Sequence, residues 1–386
     1  MLRVLTLSTL FPDVSRPNFG VFVERQTLGL AARDDVDLRV VAPIGVPPWP
    51  LSRHAHYRGF DGVPAHENWK GLDVRRPRFA ALPATGGRFH AAMLARRLIP
   101  LLADLRRDFA FEVIDAEFFF PDGPAAITLG RHFGVPVSIK ARGADIHLWG
   151  KGSTATQVVA AGRGAGGLLA VSAAMRRDMI AIGLPDDAIR VHYTGVDLDR
   201  FVPADRAVAK AALGVTGPLV VSLGALVERK GHAIVIEAVA RLPGVNLLVV
   251  GAGPEQGALT ALIARFGVAD RVRLAGAMPH AALPELLAAA DVMALASASE
   301  GLANAWVEAL ACGTPIVVTD AGGAAEVLTE PDYGRIADRT APAFAEAIAA
   351  VLAAPPPPSA VRRGAERFTW PANTAALVGH LRALVD

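Results

Sequence analysis

Short runs of Val, Ile and Leu alternate with Ala/Leu-rich stretches from one end of this chain to the other, and that alternation constrains its fold most. "RVLTLS", "DLRVVAP", "EVIDAEF", "VPVSIKA", "GLLAVS" and "AIRVHYTG" read as strands of the first half. "PLVVSLG", "VNLLVVGAG", "RVRLAG", "DVMALAS" and "TPIVVTD" read as strands of the second. Apolar residues on successive positions predict strands buried on both faces, as in parallel sheets covered by helices. The intervening segments, such as "HAIVIEAVARL" and "LPELLAAA", supply those helices. The expected fold is α/β, with two doubly wound Rossmann-like domains in succession facing across a cleft. A length of 386 residues suits two such domains better than one core. The periodicity lapses around "TGVDLDRFVPADRA" (194–207), which places the linker there, between a domain of 1–194 and one of 195–365. A proline run, "APPPPS" (354–359), precedes a last helix, "NTAALVGHLRALVD", expected to pack back on the first domain.

The chain is 52% apolar and 20% charged, which excludes a disordered protein. Its one cysteine, Cys312, excludes an internal disulfide and a cysteine zinc site and suits a reducing cytoplasm. The opening "MLRVLTLSTLFPD" has too short an apolar run for a signal peptide and reads as a first buried strand. No apolar run reaches the roughly 18 residues of a membrane span. The charge is uneven. Residues 1–194 carry 24 Lys/Arg against 18 Asp/Glu, and residues 195–386 carry 15 against 19. Opposite signs suggest different partners for the two halves.

Ligands of open parallel sheets bind at the carboxyl ends of the strands, so functional residues are expected just after strands. "VVGAGPEQG" (249–257) imitates a dinucleotide fingerprint, but its third glycine is one residue late. The next strand also ends in Gly276 and Ala277 where a ribose-binding acid would stand. A tight turn beside some other ligand is the better reading. "DVD" (35–37) and "DLD" (197–199) imitate a metal motif but open a strand and lie in the linker. "HAH" (54–56) has no third ligand at suitable spacing. With no H-E-x-x-H, C-x-x-C, G-x-S-x-G or P-loop, a reaction without a metal, a cofactor or a covalent protein nucleophile is expected.

Two segments are informative. In "SLGALVERKGHAIVIEAV" (222–239), Arg229 and Lys230 lie between a strand and a helix, a natural seat for a diphosphate. In "SASEGLANAWVEALACG" (297–313), Gly301, Leu302, Ala303 and Asn304 lead into a helix closed by Gly313. Their N–H groups there suit an anion. Glu300 lies just outside that helix and Glu308 about a turn inside. Carboxylates repel phosphate, so their use is to accept hydrogen bonds from hydroxyls on either side of it. A nucleotide sugar has that layout.

The segment "EGLANAWVEALACGTPIVVTDAGG" resembles the E-x7-E segment of the retaining glycosyltransferases of the GT-B fold, glycosyltransferase family 4. The resemblance extends through "LGALVERKG", "VVGAGP", "LAGAMPHAALPELLAAADV" and "YTGVDLDRF", and less strictly through "FPDVSRPNFGVFVERQ", "EFFFPDGPAA" and "KARGADIHLWG". "RFTWPANTAAL" is similar to the family's crossover segment, so a helix of about 366–386 would complete the first domain. The resemblance implies an acceptor-binding first domain and a donor-binding second one. Arg229 and Lys230 would hold the donor diphosphate, Glu300 the sugar and Glu308 the ribose. Gly224, Gly253 and residues 301–304 would line the donor, and Gly20 would let backbone approach the reaction centre. Arg142 stands where many relatives have a histidine near the anomeric carbon, with Asp145 following as in them. Ala303 replaces a common Pro or Gly.

The implied reaction moves a hexose-type sugar, with retention, from a UDP- or GDP-sugar to a hydroxyl acceptor. Its setting would be cell-surface polysaccharide or glycolipid synthesis in the cytoplasm. Competing readings are a sugar-nucleotide epimerase of the same fold and a non-catalytic nucleotide-sugar-binding protein. No nucleic-acid partner is expected. Residues 46–97 hold nine Lys/Arg against three Asp/Glu. A solvated basic side of a core-facing helix explains much of this, with Pro100 expected to kink or restart that helix. The alternative is a surface for a lipid-linked acceptor or an anionic membrane, engaged by Arg75, Arg76 and Arg78 among others.

Overall fold

All eleven apolar runs form strands, and shorter strands lie among them. The computed structural model describes residues 1–386, apart from the side chains of Ala55, His56 and Ala144. By its internal contacts the chain divides into two units, Met1–Gly195 with Trp370–Asp386, and Val196–Thr369.

The first unit contains β1 (Leu2–Leu7), β2 (Val36–Val41), β3 (Ile44–Val46), β4 (His66–Trp69), β5 (Leu72–Arg75), β6 (Arg78–Ala80), β7 (Val113–Ala116), β8 (Val137–Ala141), β9 (Gly167–Ala170) and β10 (Ile189–Val191). Eight of them form one sheet in the order β10-β9-β8-β7-β1-β2-β5-β4, while β3 and β6 pair separately. Every neighbour in the large sheet is parallel except β4 with β5. Those two form a hairpin turned by Lys70 and Gly71, both at positive φ, as a two-residue type I′ turn requires. Val4, Val40, Val74 and Val113 of the sheet pack with Val23 and Leu30 of the helix Val21–Ala31. Leu377, Val378 and Leu381 of the last helix, Trp370–Val385, join the same core. Burying each of these three contributes about 1.5–3 kcal/mol, which ties the chain's end to its first unit.

The second unit contains β11 (Leu219–Leu223), β12 (Asn246–Val250), β13 (Val272–Gly276), β14 (Val292–Leu295), β15 (Ile316–Val318) and β16 (Gly334–Ile336). The order is β13-β12-β11-β14-β15-β16, parallel throughout. Val220, Val249, Val292 and Ala294 pack with Val235, Val239, Leu259, Phe344 and Ile348 from the covering helices. In both sheets the order reverses beside the unit's first strand, at β1/β7 and at β11/β14. Loops leaving the carboxyl ends there diverge and open a crevice.

Two expectations are corrected. Pro100 does not restart its helix, which runs unbroken over His90–Leu105. Arg96 and Pro100 both face solvent, so the Arg96 carbonyl that loses its N–H partner can be hydrated. The basic stretch is also less exposed than its charge count suggests. Arg76 is 1% exposed, paired with Glu67 at 2.6 Å and set over the rings of Phe11 and Trp69. Arg78 donates to the carbonyls of Phe60 and Val63. Arg53, Arg58, Arg88 and Arg97 remain exposed, beside the exposed side chains of Trp49, Leu51 and Phe89. No helix among the described residues is long and apolar enough to cross a membrane.

Candidate functional site

In the second unit the loop after β11 carries the cations. Glu228–Lys230 form a single tight turn, and Gly231 follows at φ 68° to start the helix His232–Ala240. A Cβ at Gly231 would fall on the Ala296 carbonyl, so only glycine lets this loop lie against the end of β14. His232 fixes the loop from below. Its Nε2–H donates to the Ala225 carbonyl at 3.3 Å and its Nδ1 accepts from Ser222 Oγ at 2.9 Å. Burial lowers its pKa to about 4, so the ring is neutral. Above it the Lys230 ammonium bonds Glu300 Oε1, which also accepts from Ser297 Oγ at 2.7 Å. Arg229 is exposed and reaches the Ser299 carbonyl at 3.4 Å.

The loop after β14 carries the carboxylates. Glu300 is buried, and the chain then turns through Gly301, Leu302 and Ala303 into the helix Asn304–Ala311. No side chain caps that helix at Ala303. Glu308, one turn inside, accepts from His280 Nε2 at 2.7 Å. His280 sits after β13 with its ring edge-on to Phe201, 5.5 Å between centroids. Burial, then the charge of Glu308, raises the Cys312 thiol to about 12, which leaves it an inert core group. The switch point thus gathers Arg229, Lys230, Glu300, Glu308 and the loop 301–304. A Cβ at Gly251 would strike the Gly224 carbonyl, and one at Gly253 the Leu226 backbone, so the chain's own packing requires glycine at both.

In the first unit, Gly20 starts the helix Val21–Ala31 at φ 73°, and a Cβ there would collide with the Leu10 carbonyl. Arg142 ends β8. Its backbone N–H donates to Asp145, whose carboxylate also accepts from the N–H groups of Phe119 (3.1 Å) and Gly143 (2.7 Å). Burial raises the Asp145 pKa against the pull of those donors. Asp145 therefore clasps the loop backbone. The Arg142 guanidinium lies 4.9 Å from the Phe22 ring centroid, pairs with Glu117, and donates through Nε to the Glu117 carbonyl at 2.7 Å. Asp122 also sits at this switch point. It accepts from the Thr9 N–H at 2.8 Å, and burial raises its carboxyl to about 7.

Glu117, Asp122 and His280 were not singled out from the sequence. A signal for the first existed: Asp115 and Glu117 stand in or just after a strand otherwise buried on both faces, where a charge needs a partner. The imitative motifs resolve as structural. Asp35 pairs with Arg33 and Arg382, and Asp37 pairs with Arg39. Asp197 accepts from the N–H groups of Asp199 and Arg200. The His54–His56 stretch lies partly outside the described residues.

Two Rossmann-like units in succession, each with its polar groups at the switch point, define the class as GT-B. Residues 20–200 match the family described as Glycosyltransferase Family 4, and residues 205–368 match Glycosyl transferases group 1. The chain belongs to this family, the group 1 glycosyltransferases of family 4. The putative teichuronic acid biosynthesis glycosyltransferase TuaC of Bacillus subtilis is 28% identical over 90% of this chain and 88% of that one. The D-inositol 3-phosphate glycosyltransferase of Segniliparus rotundus is 38% identical over 49% of this chain and 45% of that one. The chain spans about half the length of such inositol-phosphate relatives. Among solved structures, sucrose-phosphate synthase from Thermosynechococcus elongatus aligns with a TM-score of 0.82 at 20% identity, covering 100% of this chain and 99% of that one. Anabaena HepE in complex with UDP-glucose aligns at 0.73 and 19% identity, covering both chains fully.

Proposed function

We propose that this protein is a retaining, metal-independent glycosyltransferase that moves a hexose-type sugar from a UDP- or GDP-sugar to a hydroxyl of a saccharide or lipid-linked acceptor. The observation that carries the reading is the cluster at the second switch point, with Arg229 and Lys230 on one loop and Glu300 and Glu308 on the other. A donor diphosphate would draw Lys230 from Glu300 and seat against Arg229 and the N–H groups of residues 301–304. Glu300 would then accept from the sugar hydroxyls and Glu308 from the ribose diol. Such donors act most strongly on charge that grows in the transition state, here on the departing diphosphate. Arg142 would face the reacting sugar, and the departing phosphate oxygen would take the acceptor's proton. Asp145 shapes the loop that carries Arg142.

Cell-surface polysaccharide or glycolipid synthesis is the proposed setting, since TuaC is named for teichuronic acid biosynthesis. The proposed place is the cytoplasm, with the exposed Arg53, Arg58, Arg88 and Arg97 and the side chains of Trp49, Leu51 and Phe89 meeting the inner face of the membrane. The deciding experiment is a thermal-shift screen of UDP- and GDP-sugars. Donor hydrolysis is then measured with and without added acceptor and in excess EDTA. A ligand at 100 times its dissociation constant adds ~2.7 kcal/mol. No shift with any nucleotide sugar would overturn the donor site, and collapse of activity in EDTA would overturn metal independence.

A further inference from the structure

Behind Arg142 the first unit buries more polar groups than its sheet needs. Glu117 accepts from Arg142 on one carboxylate oxygen and from Gln26 Nε2 on the other. Gln26 Oε1 accepts from Lys140 Nζ at 2.5 Å, and the same ammonium donates to His192 Nδ1 at 2.7 Å. His192 Nε2 then donates to the Asn373 carbonyl at 2.8 Å, and Asn373 Nδ2 donates to the Tyr193 carbonyl at 2.6 Å. Gln26, Glu117, Lys140, His192 and Asn373 are all buried. They come from the first helix, the residue after β7, the strand β8, the residue after β10 and the last helix.

The protonation states are set within the cluster: burial, then the Arg142 charge, lowers Lys140 to about 7 against the pull of Glu117 and Asp115. Burial would raise the Glu117 carboxyl, but the charges of Arg142 and Lys140 outweigh it and bring the pKa to about 2. Its neighbour Asp115 is driven the other way, well above the usual carboxylate range, by burial and then by Glu117. Burial and the Lys140 charge lower His192 to about 3 and keep it a neutral acceptor at Nδ1. Apolar side chains of similar volume would hold such a core equally well, so the chain is not explained by stability. Its two ends are informative. One is the guanidinium at the first switch point. The other lies beside the two places where the backbone passes between the units, at 195/196 and 369/370.

We propose that Glu117, Gln26, Lys140 and His192 are positioning residues for Arg142, a buried relay that fixes its guanidinium and anchors it at the two chain crossings. The functional part of this inference rests on the reading of Arg142 as the group facing the reacting sugar. Labelling the full chain with 15N-arginine tests it without a substrate. The Arg142 Nε–H signal, identified by its loss in Arg142→Lys, should show slow guanidinium rotation in the native protein. Glu117→Gln should speed that rotation at least tenfold, and Glu117→Asp should restore much of the slow behaviour. Gln26→Met breaks the relay in the middle without removing a charge, and it should shift the same signal although Gln26 makes no bond to Arg142. An unchanged Arg142 signal in a folded Glu117→Gln or Gln26→Met protein overturns the relay. Turnover is then compared with affinity for UDP, using UDP-glucose hydrolysis. Glu117→Gln should lower kcat more than tenfold and leave UDP affinity within twofold. If Arg142→Lys keeps full turnover while the signal still depends on Glu117, the relay stands and the role of Arg142 in the reaction falls. If Arg142→Lys loses turnover while Glu117→Gln changes neither signal nor rate, the role of Arg142 stands and the relay falls.

Discussion

Charge is handled in opposite ways in the two units. Around Arg142 a continuous run of buried groups answers one another, from Glu117 through Gln26 and Lys140 to His192. Around Lys230 the groups are partly open, and each is held by one or two contacts that a ligand can replace. The first arrangement fixes geometry before anything binds. The second leaves hydrogen-bonding capacity in reserve. The second unit's cluster would recognise a ligand by exchanging partners, while the first unit's stays where the fold put it.

The sharpest way to break this contrast is to remove a charge from each unit and compare stability with activity. Glu117→Ala leaves Arg142 buried without its counter-ion and should destabilise the protein by ~3–5 kcal/mol, read from urea unfolding. A loss below about 1 kcal/mol would mean that water reaches the pair. Arg229→Ala with Lys230→Ala should lower turnover by about 10²–10³-fold, the usual cost of losing a donor to developing charge. Wild-type rates in that double variant would remove the diphosphate clamp. Glu308→Ala comes next, with an expected loss of ~1.5–3 kcal/mol in UDP affinity by calorimetry. Unchanged affinity would make Glu308 a partner of His280 alone.

The smallest effect is a pair of pH slopes of opposite sign. Asp122 titrates near 7 in the folded first unit against an ordinary value of 3.8, so its contribution is full below 3.8 and lost as pH rises through 7. His232 titrates near 4 in the second unit against 6.5, so its contribution is full above 6.5 and lost as pH falls through 4. Unfolding free energies measured from pH 4 to 7 should lose the falling component in Asp122→Asn and the rising one in His232→Gln. A slope unchanged by Asp122→Asn would show that this carboxyl ionises normally.

The legible parts of the sequence were those in which neighbours along the chain do the work. Eleven apolar runs announced their strands because burial on both faces leaves no room for polar alternation. β4 and β5 went unseen because "HENW" and "LDVR" are short and half polar, and their pairing depends on a Lys-Gly turn with no strong signature. Pro100 misled because the rule it follows concerns buried helix interiors, and this one faces water. In the site, Glu300, Glu308, Arg229 and Lys230 stood out through spacing within single loops. The relay did not, since Gln26, Glu117, Lys140, His192 and Asn373 come from five separate elements and meet only once the sheet order is set. Lys140, next to last in "VPVSIKA", and Glu117, just after a strand buried on both faces, were the local clues.

The passage of the chain out of the first unit and back has a consequence in time. The groove that takes Leu377, Val378 and Leu381 is formed by residues made early, but those side chains are synthesised only after the whole of the second unit. At 5–20 residues per second, the ribosome needs on the order of 10–40 s to go from residue 195 to residue 386. During that interval the second unit, continuous in sequence, can fold as it emerges. The first must wait with an apolar strip beside Val23 and Leu30 still wet. The half of the protein translated first is thus the half finished last, and newly made chains would be most prone to stick to one another through that strip.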